Sequence, residues 1–314
     1  MGERELLEEA ARWRGHPDLA SLTGEALAEL SRARGVDFAT ALLYDRYLRS
    51  PEHGPFIRRL REVRDSPAFG RAPEAAVVVV PGAQYVEKPH TGADGRLIRE
   101  EAERLGCATG LVPLESNGSL RANARALCRW LTECPFERVI LASISKGGSD
   151  VKLALGEPDA ARAFSRVAAW INVGGILRGS PVSDWMLDDP IVGLFYRSVT
   201  YLQGKPIDFV SDLRRGPGNP LAAALRLPAG LPVVSLAGFP LEAHLENFLS
   251  RRCHRLCAPL GPNDGLIVLG DEGALPGRVY PVWGSDHYMR PEATARAVLG
   301  AVLRLLGEEL AVAA

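Results

Sequence analysis

The chain has 314 residues, 46% apolar and 24% charged, enough to bury a sizeable core as one large domain or a domain with an appendage. A formal net charge of −1 gives no electrostatic case for nucleic acid or an acidic lipid surface as partner. Of the 37 basic residues four are lysine and the rest arginine; with the abundant alanine, that bias reads as a GC-rich bacterial genome and not as a phosphate-binding device.

The N-terminus, MGERELLEEAARWRG, is charged from its start, so no signal peptide is expected, and no uninterrupted apolar run reaches the length of a membrane span. Five cysteines in no spacing that demands a disulfide point to a reduced, cytoplasmic protein. CHRLC, Cys253 to Cys257 around His254, offers metal-binding residue types, but one cluster without a partner pair elsewhere does not make a metal site.

Residues 1–70 carry apolar positions at helical spacing, as in VDFATALLYDRYL, with breaks near Pro51–Gly54 and Ser66–Pro73. They are expected to form a helical N-terminal extension ahead of a domain spanning 71–314. From there the pattern changes. AAVVVVPG (75–82), ATGLVPL (108–114), RVILASI (138–144), VAAWINVGG (167–175), LPVVSLAG (231–238) and RVYPVWG (278–284) are short apolar runs ending at turn residues. Amphipathic helical patterns such as DGRLIREEAERLG and SLRANARALCRWLTE lie between most of them. This alternation predicts an α/β fold with a mostly parallel sheet covered on both faces, its catalytic groups at the carboxyl ends of strands.

One interval breaks the rhythm, about 55 residues between the strand ending near Gly175 and the one beginning near Leu231. Within it, DWMLDDPIVGLFYRSVTYLQG is too apolar for a solvated loop, and its composition argues against disorder. A helical cap over the strand ends, about 176–230, is expected. The alternative is a set of helices packed on the core away from any site.

Ser143-Ile144-Ser145-Lys146-Gly147 has the form of the nucleophile elbow G-x-S-x-G, with serine in place of the first glycine. Residues two before and two after the central Ser145 must be small, because strand and helix approach closely there; Ser143 and Gly147 meet that need. The same residues also spell S-x-x-K, in which a lysine activates Ser143. That mechanism needs its serine at a helix start and companion S-D-N and K-T-G motifs, and neither condition is met.

A serine hydroxyl needs a base to take its proton, and the base works best when a carboxylate orients it. Of six histidines, His16 and His53 lie in the N-terminal helical region, His90 precedes the elbow, and His244 and His254 lie in an apparently helical stretch. His287 follows the last predicted strand on a short loop before the final helix. For the acid, Asp264 sits in the tight polar turn GPNDGLI; Asp271 is a weaker alternative, and Asp286, adjoining His287, is expected to point elsewhere.

From about residue 75 to the C-terminus the chain resembles an α/β-hydrolase, with features similar to bacterial lipases. VVVVPGAQ resembles the strand and H-G-x loop that supplies an oxyanion hole, with Pro81 where histidine is frequent. GGILRGSPVSDW resembles the lipase stretch G-x-P-H-x-G-S-x-x-A-D, NDGLI resembles the N-D-G-(L/V)-V that carries the triad aspartate, and DHY resembles its D-H. The resemblance leaves the first 70 residues unmatched, so the N-terminal edge of the sheet is open. It implies an α/β-hydrolase fold with a helical cap insertion and a helical N-terminal extension.

In such a fold the oxyanion hole takes the backbone N–H of Lys146 and a second donor from the loop after the first strong strand, Ala83, with Gln84 as the alternative. The Lys146 side chain is expected to point to solvent; otherwise its charge would favour an acidic substrate or strengthen the hole. Gln84, Trp185, Phe195, Tyr196 and Tyr201 are the expected substrate-binding residues, the aromatics lining an apolar acyl site under the cap. The expected activity is that of a cofactor-independent, metal-independent serine hydrolase acting on a small-molecule ester or thioester through an acyl-enzyme. Transfer of the acyl group to a non-water acceptor, as in an acyltransferase or cyclase, is the alternative, and a non-catalytic binding protein of the same fold is a further one.

Overall fold

The six apolar runs form six strands in a computed structural model of the chain, which describes residues 2–66, 70–194, 198 and 208–312. These are β1 (Ala76–Val80), β2 (Thr109–Leu111), β3 (Val139–Ile144), β4 (Val167–Val173), β5 (Val233–Phe239) and β6 (Arg278–Trp283). They pair in the order β2-β1-β3-β4-β5-β6, every neighbouring pair parallel. The prediction of a parallel sheet holds because strands buried on both faces have no polar face to alternate with. All residues of β1 and β5 are buried.

Alternate residues enter two separate apolar layers, following the period of two of a strand. Val77 and Val79 of β1, with Ile140 and Ala142 of β3, join the first layer; Val78, Val80, Val139 and Leu141 join the second. The first layer is covered by α1 (Glu3–Arg12), α2 (Gly24–Arg34), α3 (Val36–Arg49), α4 (Gly54–Asp65), α5 (Arg96–Arg104) and the long C-terminal helix Glu292–Val312. The second is covered by α6 (Leu120–Glu133), α7 (Lys146–Ala154) and the short α8 (Ala160–Ala163). The helices of residues 3–65 thus bury Leu27, Leu42 and Leu60 in the same layer as the sheet. The buried Arg46 of α3 ties down the end of α1, donating to the carbonyls of Trp13 and His16, each at 2.6 Å.

Between β4 and β5 the described residues include α9 (Pro181–Asp188), α10 (Asp208–Asp212) and a 3₁₀ turn at Pro220–Ala222. Polar contacts from three side chains seat this insertion. Lys152 Nζ on α7 donates to the carbonyls of Leu177 (2.7 Å) and Leu221 (2.8 Å), Asp212 accepts from the Leu120 N–H at the start of α6 (2.8 Å), and Ser180 Oγ donates to Leu266 O (2.6 Å). After β5 come α11 (Phe248–Cys257) and, last, α12, the Glu292–Val312 helix. Among the described residues no helix is long and apolar enough to cross a membrane.

The strand order contains a switch point. From β1 the chain moves outward to β2 and then returns to the other side of β1 as β3, so the connections diverge between β1 and β3. A parallel sheet opens a crevice beyond the carboxyl ends of two such strands. Val80 and Ser143 are register partners there. The loops that follow them carry Ala83 and Ser145.

Candidate active site

Ser145 turns the chain from β3 into α7 with φ 52° and ψ −119°, a left-handed conformation that strains any residue with a side chain. The turn is held by the Ser145 N–H donating to Val173 O (3.0 Å) and by its carbonyl accepting from Gly148 and Ile176 (3.0 and 3.1 Å). Glycine is required just after it. A Cβ on Gly147 would collide with the backbone oxygens of Val80 and Pro81, and one on Gly148 would lie 2.7 Å from Gly175 Cα. The serine two places earlier does more than stay small. Ser143 is fully buried, accepts a hydrogen bond from Trp170 Nε1 (2.8 Å) and donates to Asn172 Oδ1 (3.3 Å).

Ser145 occupies the N-cap of α7, where a serine ordinarily bonds a first-turn amide, yet it makes no such bond. Its Oγ lies instead 2.9 Å from His287 Nε2. The other ring nitrogen, Nδ1, lies 2.8 Å from Asp264 Oδ2. An ionised carboxylate only accepts, so Nδ1 carries the proton and Nε2 is left with a lone pair facing the serine hydroxyl. The side chains of His287 and Asp264 are 3% and 0% exposed, so water does not compete for these bonds.

Asp264 is aimed by its own turn. Its Oδ1 accepts from the amides of Leu266 and Ile267, both at 2.9 Å, leaving Oδ2 for the histidine. The His287 N–H donates to Asp264 O (2.9 Å), and Asn263 braces the turn through Gly265, Gly261 and His254. Burial disfavours a charged His287, but the charge and hydrogen bond of Asp264, aided by Asp286, outweigh it and raise its pKa above the ordinary histidine value. The two alternative acids are engaged elsewhere: Asp271 pairs with Arg215 (2.8 Å), and Asp286 accepts from the Tyr288 amide (3.0 Å) and Arg290 Nε (3.0 Å).

Gly82, just after β1, packs against Ser145, since a Cβ there would lie 3.4 Å from Ser145 Cβ. Of the two residues that follow, Gln84 donates its amide to Ser116 O (3.2 Å), whereas the Ala83 amide has no acceptor among the described residues. Of the two expected donors, Ala83 is therefore the one whose amide is left unengaged. Lys146 is the first residue of an uncapped helix, so its amide is one of the orphan N–H groups of a helix start.

The Lys146 side chain corrects the expectation of a solvent-facing group. It is buried, and its ammonium pairs with Asp150 at 2.9 Å. The missed signal was the i, i+4 spacing of the two residues in KGGSD. Trp185 lies half-buried in α9 with the Arg252 guanidinium stacked 4.6 Å over its ring, while Phe195, Tyr196 and Tyr201 fall outside the described residues. In CHRLC, His254 and Cys257 are buried in α11, and neither ring nitrogen of His254 has a hydrogen-bond partner among the described residues.

No protein-family model matches the chain, and no curated protein matches it in sequence. Solved structures do match in fold. The metagenomic carboxyl esterase MGS0156 superposes with a TM-score of 0.58 at 23% identity, over 77% of this chain and 78% of its own. The mature form of the Bacillus licheniformis lipase BlEst2 superposes with a TM-score of 0.52 at 20% identity, over 77% of this chain and 92% of its own. With its six parallel strands and helices on both faces, the chain has the α/β-hydrolase fold.

Proposed function

We propose that the chain is a serine hydrolase that cleaves a carboxylic ester or thioester through an acyl-enzyme on Ser145. The observation that carries this reading is the unbroken line of hydrogen bonds from Ser145 Oγ through His287 to Asp264, at 2.9 and 2.8 Å. Its fold neighbours, a carboxyl esterase and a lipase, favour an ester over other acyl substrates.

In the first step Ser145 Oγ attacks the substrate carbonyl carbon while His287 Nε2 takes its proton. The carbonyl oxygen becomes an oxyanion and is held by the N–H groups of Lys146 and Ala83. Asp264 stabilises the imidazolium and keeps Nδ1 protonated. Collapse of the intermediate expels the leaving oxygen or sulfur, which takes the proton from Nε2. Water then attacks the acyl-enzyme with His287 again as base, and the acid and free serine are released. The insertion at 176–230 is assigned to substrate selection as a cap on a domain spanning 71–314, with residues 1–70 as its extension.

A fluorophosphonate probe tests the reading directly. It is expected to label Ser145 in the native chain and to leave Ser145→Ala unlabelled. The same substitution should lower the hydrolysis of p-nitrophenyl esters by about 10³-fold or more. Absence of labelling, or labelling that persists in Ser145→Ala, would overturn it.

A further inference from the structure

α7 is a helix that starts under poor terms. Its N-cap serine withholds its side chain, and two of its first three residues are Gly147 and Gly148, weak helix formers imposed by close packing. The first-turn side chain that reaches along the helix is Lys146. Its Nζ lies 2.9 and 3.1 Å from the two carboxylate oxygens of Asp150, one turn further on, with the side chains 2% and 0% exposed.

Stability alone is a weak reason for this pair. A cation in the first turn faces the positive end of the helix dipole, and lysine before the acid is the less favourable order at i, i+4. Both charges are also stripped of water, and replacing such a pair by apolar residues is often neutral or stabilising. The choice of cation is notable too. The chain has four lysines among its 37 basic residues, and two of them, Lys146 and Lys152, are buried on α7. A compact ammonium on a flexible stem fits there where a planar guanidinium fork would need a different pocket.

We propose that Lys146 and Asp150 form a positioning clamp for the oxyanion hole. By bracing the first turn of α7, the pair holds the Lys146 N–H in the direction that the tetrahedral oxyanion requires. The inference rests on the serine-hydrolase reading and adds a role for a side chain which that reading uses only through its backbone. The clamp is itself supported. Asn123 of α6 lies beside Asp150 and donates to Glu115 O (3.0 Å), and Asp212 of the insertion caps the same helix at Leu120. Burial pushes the Asp150 carboxyl up to about 6 against the pull of Lys146 and Asn123, and the nearby Asp212 carboxylate adds to the rise.

The test compares kcat, KM and Tm on p-nitrophenyl butyrate for the full chain and three double variants. K146M/D150L is expected to keep its Tm while kcat falls about 10- to 100-fold with KM little changed, a smaller loss than the roughly 10²–10³ of deleting an oxyanion donor. K146Q/D150N, whose amides can rebuild the i, i+4 hydrogen bond without charge, is expected to recover most of that loss. If K146M/D150L does not fold, K146Q/D150N is compared with K146Q/D150A, which lacks the acceptor, and the first is expected to be about five-fold faster or more in kcat. A folded K146M/D150L with wild-type kcat, equal rates in the two glutamine variants, or rates that merely track Tm would overturn the clamp. Wild-type protein without Ser145-dependent turnover would overturn the hydrolase reading and the clamp with it; Ser145-dependent turnover with an unimpaired apolar pair would sink the clamp alone.

Discussion

Asp264→Asn changes one atom at the most enclosed point of the site, and the structure dictates how the amide must sit. Asp264 Oδ1 accepts from two backbone amides, Leu266 and Ile267, at 2.9 Å each. An asparagine keeps those bonds only by placing its oxygen there, which turns its NH₂ toward His287 Nδ1. The reverse orientation would set donors against two buried donors, and a side chain with no solvent exposure has no water to relieve it. The amide NH₂ therefore forces Nδ1 to accept, moves the ring proton to Nε2 and points an N–H at the serine that needs a base. On the proposed mechanism the wrong tautomer is expected to lower kcat by about 10⁴-fold, or about 5.4 kcal/mol of transition-state stabilisation. Charge adds a second signature. His287 is held above its ordinary pKa, so its protonated form adds stability below the unfolded histidine value, and this stability is lost as pH rises through the folded one. Asp264→Asn removes that contribution, so its Tm deficit should be larger at pH 5.5 than at pH 9. The assay is stopped-flow hydrolysis of p-nitrophenyl butyrate together with Tm across that range. A variant that keeps more than about a tenth of wild-type kcat would refute the assignment of the acid. So would Asp271→Asn or Asp286→Asn proving the more damaging change.

Three further outcomes are expected. In wild type, kcat/KM should rise with pH through a midpoint above the ordinary histidine value, because Nε2 must be neutral to accept the serine proton and Asp264 holds the ring's pKa up; a midpoint below that value would contradict the geometry. Ser143→Ala should leave kcat within a few-fold of wild type yet lower stability by about 1–3 kcal/mol in urea unfolding, since it strands the buried Trp170 indole N–H; a dead but stable variant would shift the chemistry to Ser143. Trp185→Ala should flatten the gain in kcat/KM with acyl chain length, about 0.8 kcal/mol per buried methylene, while sparing acetyl esters; a ladder of esters whose profile keeps its shape would remove Trp185 from the acyl site.

The sheet was legible because a strand buried on both faces leaves a continuous apolar run, and all six such runs became strands. The elbow was legible for a related reason: two glycines after Ser145 are needed where the helix start nearly touches the backbone of the neighbouring strand ends, and that demand is local in sequence. Contacts across the sheet were not. Nothing near Ser143 announces that the indole of Trp170, on the next strand, needs its hydroxyl. Nor does VVVVPGAQ reveal that the Gln84 amide is taken by Ser116, from the loop after β2, which is what separates it from Ala83. The Lys146 side chain was misread because a lysine beside a serine in a turn looks solvated. Its burial follows from α7 lying flat on the sheet with Asp150 one turn away, and helical spacing names that partner without telling which face of the helix is covered.

The division of labour within the site follows from the strand order. The proposed nucleophile and both proposed oxyanion donors follow directly on the two strands at which the connections diverge, β1 and β3. Asp264 and His287, the proposed acid and base, arrive on separate loops, before and after β6, and are locked to each other by the His287 N–H on Asp264 O as well as by their side chains. The insertion supplies none of these atoms. It leaves the sheet after β4, next to the nucleophile strand, and is seated by contacts to α6, α7 and the Asp264 turn. On the proposed reading, changes within the insertion are expected to reshape what reaches Ser145 without moving the groups that react. The insertion's footing is the exception: Lys152 stands on α7 with Lys146 and Asp150 and holds the insertion's carbonyls, and Asp212 caps α6, which carries Asn123, so a change there is expected to reach the proposed oxyanion donor through α7 and lower kcat as well as alter substrate choice.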